Sequence, residues 1–416
     1  MTLAAADAAM LDGIAAGGVE IVARAVGWCG INSGSRNLVG LAEMAARMDA
    51  ELGRLPGHME RIALPPTEEV AVDGRIRPAE NGHALRLRVR PDAPVQVALT
   101  GHYDTVYPAD TAFRAVSTRA DGALNGPGIA DMKGGISVML AALAAWEHHP
   151  LASRLGYTML LSPDEETGSL ASAPLLAELG ASAHVGMTYE PALSDGTLVS
   201  GRKGSGNFHV RVTGRAAHAG RDFASGRNAI LAAARIAQAL GELNGQREGV
   251  TVNVARIDGG APLNMVPDMA VVRFNARLPL PTDEDWLMRG IAEALDAGRS
   301  GGIALSLHGG ITRRPKPFVP AQQHLFAAVR ATGALIGQSI AWAPSGGVCE
   351  GNNLFAAGLP GIDTLGVRGG DIHSEREYAW PDSFVERAQL SALLLAKLAD
   401  GSIDGPAIRR SLIAGG

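Results

Sequence analysis

The sequence predicts an α/β fold: a mixed, largely parallel sheet flanked by helices, interrupted by a smaller inserted α+β unit. Three observations carry this. Apolar, strand-like stretches at 95–100, 157–161 and 184–189 are separated by helical ones at 136–149 and 170–179, an alternation that builds sheets with parallel pairing. After about Lys203 the texture changes, with Phe208, Val210 and Val212 alternating with His209, Arg211 and Thr213 as in a strand exposed on one face. Beyond Pro315 and Pro317 the helix and strand pattern of the first part resumes.

The alanine-rich N-terminus has no basic start and carries Asp7, Asp12 and Glu20, so it reads as an amphipathic first helix rather than a secretion signal. Leucines alternate with arginines over 85–89, the period-two signature of a half-exposed strand, and 95–100 is uniformly apolar and so buried. Gly134-Gly135 leads into a helix over 136–149 whose apolar run falls well short of the ~20 residues that span a membrane. In the insert, the spacing predicts a strand around 208–212, a helix over 228–243, strands at 250–257 and 269–278, a helix over 283–297 capped by Thr282 and Asp285, and a last strand at 303–307. That β-α-β-β-α-β order is ferredoxin-like. A helix over 322–335, a strand at 361–365 and a closing helix over 382–398 complete the first unit. The boundaries follow as 1–204 and 315–416 for the α/β unit and 205–314 for an inserted lid or dimerisation unit. No repeat or low-complexity linker is present.

The 416 residues are 46% hydrophobic and 19% charged, an ordinary globular composition. A formal net charge of -5 without a Lys/Arg cluster excludes a nucleic-acid surface, which needs a basic stripe to neutralise phosphates. A small-molecule or peptide substrate fits better. Cys29 and Cys349 lie too far apart in sequence to suggest a disulfide framework or a thiolate zinc site. A cytoplasmic protein with no membrane contact is expected.

His102 and Asp104 are two apart on an extended segment, so both side chains point into one site, with His102 able to ligate a metal while Asp104 bonds its other ring nitrogen. Asp131 sits in a segment with glycines at 126, 128, 134 and 135, suited to a backbone pressed close to a ligand. That segment lacks the last glycine of a dinucleotide fingerprint, and around 196–203 Arg202 stands where a phosphate loop needs lysine. Asp164, Glu165 and Glu166 follow a strand end, where their mutual repulsion calls for a cation, and adjacent side chains diverge. One of the two glutamates can therefore ligate a metal while its neighbour stands off as a general base. Glu190 ends an apolar strand before Pro191, and His373 follows a glycine pair. Ligand sites of open α/β sheets lie at such strand ends.

Together, Gly101-His102-Tyr103-Asp104-Thr105-Val106-Tyr107-Pro108, the stretch 125–135, Asp164-Glu165-Glu166-Thr167-Gly168-Ser169 and Tyr189-Glu190-Pro191 resemble the M20 family of metal-dependent amidohydrolases and exopeptidases, most of all its carboxypeptidase G2-like members. The resemblance runs nearly end to end and implies a zinc-exopeptidase-like catalytic domain. It implies that Asp131 bridges two zinc ions, with His102 and Glu190 on one and Glu166 and His373 on the other, and that Glu165 is the general base. Cobalt or manganese would suit the same donors. The ions, ~3.5 to 4 Å apart, would depress the pKa of a water between them. The resemblance also implies a cis peptide between Asp131 and Met132, and a homodimer in which His218 reaches the other subunit's site to stabilise an oxyanion. Asn264, Arg277, Gly346 and Gly347 match substrate-holding positions, an arginine suiting bidentate grip on a carboxylate. Val348 and Glu350 depart from the family's pattern in that last loop.

The expected activity is hydrolysis of an amide bond in a peptide or N-acyl amino acid, most like a carboxypeptidase. An N-acyl-amino-acid deacylase would share every catalytic residue. A non-catalytic metal-bound binding protein is the alternative of another class, and the retained Glu165 argues against it.

Overall fold

The computed structural model describes residues 3–415. Its larger sheet has six strands in the order His58–Ala63, His83–Val89, Leu155–Ser162, Val95–His102, Val185–Thr188 and Gly361–Ile362. The first two pairings are antiparallel and the other three parallel. Side chains of the central strand alternate between two cores: Val97 and Leu99 join the large one, Ala98 the smaller one. Over the large core lie the helices Lys133–Trp146 and Asp382–Ala399, backed by Ala5–Ala16 and Gly18–Cys29. Ala173–Ser182 and Glu350–Ala356 cover the other face through Leu176 and Leu354. A sheet buried on both faces explains why 95–100 reads as a continuous apolar run.

Departures from the sequence reading have local causes. The single N-terminal helix is two, Ala5–Ala16 and Gly18–Cys29, broken at Gly17. A third helix, Leu38–Leu52, capped by Asn37, and the hairpin strands Thr67–Val70 and Ile76–Ala79 were not anticipated. The helix expected over 170–179 starts instead at Ala173, because Asp164 Oδ2 accepts the Ala171 and Ser172 amides and holds the chain in a turn. The strand expected over 361–365 stops after Ile362, where Asp363 turns into a buried ion cluster and Thr364 adopts a positive φ of 61°.

The insert forms a four-stranded antiparallel sheet in the order Thr251–Gly259, Met269–Leu278, Gly204–Thr213 and Ala304–Arg313. One face packs on the helices Ala229–Glu242 and Asp283–Gly298 around Phe208, Val210, Ile236, Phe274 and Leu287, a core separate from those of the larger sheet. The last strand runs to Arg313, well past the expected end. Thr282 does not cap the second helix: its backbone is already helical, so its side chain cannot fold back over the first turn. Asp283 accepts the Leu280 amide at 3.0 Å instead. The opposite face of this sheet is polar, and Arg277 and Arg313 both stand in register with Ser205 between them.

Where the insert rejoins the first unit, fully buried Asp363 accepts Arg202 Nε and Lys316 Nζ, each at 2.7 Å. Burial opposes its ionisation, yet the Lys316 and Arg202 cations hold its carboxyl below the usual range. Asp363→Ala leaves two buried cations unpaired and should cost about 3–5 kcal/mol in denaturant unfolding.

Candidate metal centre and active site

Every residue of the expected metal set lies at or just beyond the end of an element. His102 is the last residue of its strand, Glu190 follows Val185–Thr188, and Glu165 and Glu166 open a short turn after Leu155–Ser162. Asp131 precedes the helix Lys133–Trp146, with a cis peptide to Met132 as the resemblance implied. His373 comes from the loop after Gly369–Gly370, at a positive φ of 62°.

The tertiary fold gathers these side chains into two triads that could each hold a metal ion, His102/Asp131/Glu190 and Asp131/Glu166/His373, with their candidate ligand atoms within 4.8 Å of one another. Asp131 offers one oxygen to each side. Its Oδ1 is 3.0 Å from His102 Nε2, and its Oδ2 3.2 Å from His373 Nε2. Glu190 Oε1 lies 3.8 Å from His102 Nε2, and Glu166 Oε2 3.2 Å from His373 Nε2. His373 is half-exposed, at 51%, while His102 is buried.

The electrostatics fit cations. Burial and then the Asp131 charge push the Glu190 carboxyl well above its usual range and Glu166 up to about 8. His373 is pushed up to about 11 by its bonds to Asp131 and Glu166, and His102 rises because Asp104 and Asp131 outweigh the burial that opposes its charge. Asp131 is lowered, against burial, by the two imidazoles. Protons thus supply a counter-charge that divalent ions would supply in their place. Glu190 Oε1, buried without a hydrogen-bond partner, is a donor atom aimed at such an ion.

Asp104 meets His102 differently from the expected side-chain bond. The nearest partner of His102 Nδ1 is the Asp104 backbone carbonyl at 3.1 Å, with the carboxylate at 3.4 Å. The carboxylate instead accepts the Glu165 and Glu166 amides, each at 3.2 Å, and the Ser35 hydroxyl at 2.7 Å. Asp104 therefore orients His102 through its backbone carbonyl and the paired glutamates through its carboxylate.

Sequence reasoning missed Glu377, a buried residue four positions after His373. Its Oε1 accepts the Ala130 and Asp131 amides at 2.9 and 3.0 Å, and its Oε2 the Gly128 amide at 3.1 Å and the Tyr107 hydroxyl at 2.6 Å. Both oxygens are spent on the segment that presents Asp131, so Glu377 ties that segment to the loop of His373. An acid closely following a predicted histidine ligand was the available signal.

Glu165 belongs to neither triad. It is 9% exposed, and Arg313, another residue the sequence reading missed, donates to its Oε1 at 2.5 Å. Glu350, one of the two departures noted in the sequence, is fully buried, bonds the Ser162 hydroxyl, and is pushed up to about 8 by its burial.

The substrate-type residues are more scattered. Arg277 bonds Asn275 at 3.1 Å and has a buried Nη1 without a partner; burial and then the Arg313 charge lower its pKa. His218 pairs with Met265 across a short antiparallel ladder, and the Ala219 amide donates to the Asn264 carbonyl at 2.8 Å, so His218 and Asn264 share a corner of the insert. His218 is absent from both triads. Gly346 and Gly347 lie beyond the strand Trp342–Ser345, where the Gly347 amide donates to Ser345 Oγ at 3.0 Å. Cys349 is buried and caps the helix Glu350–Ala356 by accepting the Gly351 amide, a packing role.

A sheet covered by helices on both faces, with paired imidazole and carboxylate triads at its strand ends and a spare carboxylate beside them, is the framework of a metal-dependent amidohydrolase or exopeptidase. The chain belongs to peptidase family M20/M25/M40, whose sequence profile matches residues 98–397. It is 27% identical to carboxypeptidase G2 of Pseudomonas sp. over 316 residues, covering 73% of this chain and 74% of that one. To succinyl-diaminopimelate desuccinylase 2 of Shewanella loihica it is 28% identical over 335 residues, 74% and 86% of the two chains. Among solved structures, a tripeptidase from Staphylococcus aureus superposes with a TM-score of 0.70 at 20% identity, covering 92% of this chain and 99% of that one. A di-peptidase from Saccharomyces cerevisiae gives 0.71 at 14% identity, with 95% and 98% covered. These two likenesses establish the shared fold. Among the described residues no helix is long and apolar enough to cross a membrane.

Two outcomes follow. Glu377→Gln turns an acceptor toward donors it can no longer all satisfy, and should weaken metal affinity about 10–100-fold in equilibrium dialysis. Because His373 and Glu166 hold protons below about 11 and about 8, loading the metal-free protein at pH 7 should release protons. Affinity should therefore rise with pH through that range, as titration calorimetry in buffers of different ionisation enthalpy would show.

Proposed function

We propose that this protein hydrolyses an amide bond in a peptide or N-acyl amino acid, most like a carboxypeptidase, and releases an amino acid with a free α-carboxylate. The observation that carries this reading is Glu165, a carboxylate held beside two triads that share Asp131 yet belonging to neither. A scaffold that only bound metal would need the triads and not the spare acid.

Two zinc ions suit the donors, one held by His102, Asp131 and Glu190 and the other by Asp131, Glu166 and His373. Ions held there would supply Lewis acidity toward the scissile carbonyl and the attacking water. Glu165 takes the water's proton onto its carboxylate and hands it to the departing nitrogen. Asp104 keeps Glu165 in reach by holding its backbone amide at 3.2 Å. Arg277, with a free buried N–H, grips the substrate's carboxylate. Gly346 and Gly347 leave room for the substrate's backbone, since Gly346 has open space where a side chain would begin.

His218 acts from a second copy of this chain, the inserted unit at 205–314 serving as lid and dimer contact. Its Nδ1 accepts the Gly220 amide at 3.1 Å, so the proton resides on Nε2, the tautomer an oxyanion donor needs. Asn264, beside it, joins the same corner. Two buried, unpaired cysteines support a reducing, cytoplasmic setting.

The N-acyl-amino-acid deacylase reading differs only on the acyl side. A cleft of about 470 Å³ lies beside Glu166, lined in part by Val106, Pro108 and Ala109. Relative kcat/KM on an N-acetyl amino acid against dipeptide and folate-like substrates separates the two.

Glu165→Ala should keep its metals by elemental analysis yet lose at least ~10²-fold in kcat, and substantial residual hydrolysis would remove it as the base. Mixing His218→Ala with Glu165→Ala subunits should restore activity in heterodimers, since one of the two sites then has both groups. No recovery would sink action across the interface.

A further inference from the structure

The segment 32–37, which leads into the helix Leu38–Leu52 beside the candidate metal centre, is held on several sides. Asn32 Nδ2 donates to the Pro108 carbonyl at 3.0 Å, Ser35 Oγ to Asp104 Oδ2 at 2.7 Å and Asn37 Nδ2 to the Asn32 carbonyl at 2.9 Å. The Ser35 amide donates to the Thr105 carbonyl at 3.1 Å, and the Thr105 amide to the Ser33 carbonyl at 3.0 Å. Gly34 passes so near the same neighbour that a Cβ there would lie 2.2 Å from the Tyr107 carbonyl oxygen. Asn32, Ser35 and Asn37 are thus spent on fixing the segment. Arg36 is exposed and has no hydrogen-bond or ion-pair partner among the described residues.

Arg36 stands where two clefts meet. It lines the cleft of about 470 Å³ beside Glu166, and also one of about 790 Å³ between the 67–79 hairpin and the polar face of the insert's sheet. Thr167 borders both as well. Two of the acids lining these clefts are engaged elsewhere, since Glu166 faces His373 at 3.2 Å and Glu68 bonds His308 Nδ1 at 2.6 Å. Glu69 lines the larger cleft without pairing with Arg36. A guanidinium carried on fixed backbone at a cleft rim, with its fork of donors unspent, is suited to a carboxylate that arrives from outside. Fixed backbone also lowers the ordering cost of such a contact.

We infer that Arg36 is a specificity-determining residue on the acyl side, where it bonds a carboxylate at the far end of the substrate's acyl group. The inference rests on the reading of this protein as an amidohydrolase. The residues proposed above for the amino-acid side, Arg277, Gly346 and Gly347, line neither cleft, so the group across the scissile bond takes the space beside Glu166. The substrate class this selects is an amide of a dicarboxylic acid, with one carboxyl in the scissile bond and the other free. No covalent bond is made or broken at Arg36.

Three acyl groups of matched length, joined to one amino acid, test this on the metal-loaded enzyme: glutaryl ends in a carboxylate, pentanoyl in a methyl and 4-aminobutanoyl in an ammonium. The wild-type protein should favour glutaryl over pentanoyl about tenfold in kcat/KM, as a charge-assisted hydrogen bond warrants. In Arg36→Met that preference should shrink to about twofold, and in Arg36→Glu the 4-aminobutanoyl substrate should overtake glutaryl. Added salt should narrow the wild-type preference, because the pair forms at an open rim. Equal rates on glutaryl and pentanoyl in the wild-type protein overturn the proposal. So does a preference that Arg36→Met leaves intact, a loss by one common factor on all three substrates, or a preference indifferent to salt. If the wild-type protein cleaves none of these amides and no dipeptide, the amidohydrolase reading itself fails, whereas cleavage without preference removes only the role of Arg36.

Discussion

The site is organised around the sharing of one carboxylate, Asp131, between two imidazoles. Each of its oxygens faces one histidine, and Glu190 and Glu166 crowd in from either side. Several acids this close, most of them largely buried, are tolerable only with a compensating positive charge, so the backbone around them must be held against their repulsion. Glu377 holds the Asp131 segment through three amides, and Asp104 holds the turn of Glu165 and Glu166 through two. Both of these anchoring acids are themselves almost wholly buried. The candidate ligands are therefore presented by backbone that two carboxylates fix from behind.

The larger sheet makes that arrangement possible. Parallel pairing of Val95–His102 with Leu155–Ser162 and Val185–Thr188 brings three carboxyl-terminal ends side by side, and each end delivers part of the site. The helices on both faces leave those ends as the open edge of the layer, the usual place for a ligand in such sheets. The insert adds its polar sheet face, whose Arg313 crosses from one core to the other and meets Glu165. Two separately packed units thus meet through Arg313 with Glu165 and Ser169 and through His308 with Glu68.

Much of this was legible beforehand. His102, Asp131, Glu190 and the glutamate pair stand beside turn glycines or prolines at the ends of apolar runs, a local pattern that marks them without any knowledge of contacts. The ferredoxin-like insert was equally readable, because alternation in the 204–213 strand and the periodicity of the helix Ala229–Glu242 are strong local signals. The first eighty residues were harder. Gly17 breaks what looks like one helix, and the 67–79 hairpin has too few apolar residues to announce itself. Glu377 and Arg313 were missed for another reason: an acid after a histidine and one arginine of a consecutive pair look like ordinary surface charge. Their importance lies wholly in partners 246 and 148 residues away.

Residue types and their spacing picked out candidate imidazoles and carboxylates at strand ends, and the resemblance to the M20 family gave them their expected roles. Spacing also defined both units, because periodicity is a property of neighbours along the chain. Only the tertiary structure decided which oxygen of Asp131 faces which histidine, that Asp104 orients the glutamates as well as His102, and that the inserted unit holds Glu165. Those are contacts between distant segments, and a hydrogen bond depends on distances of tenths of an ångström that no local pattern encodes.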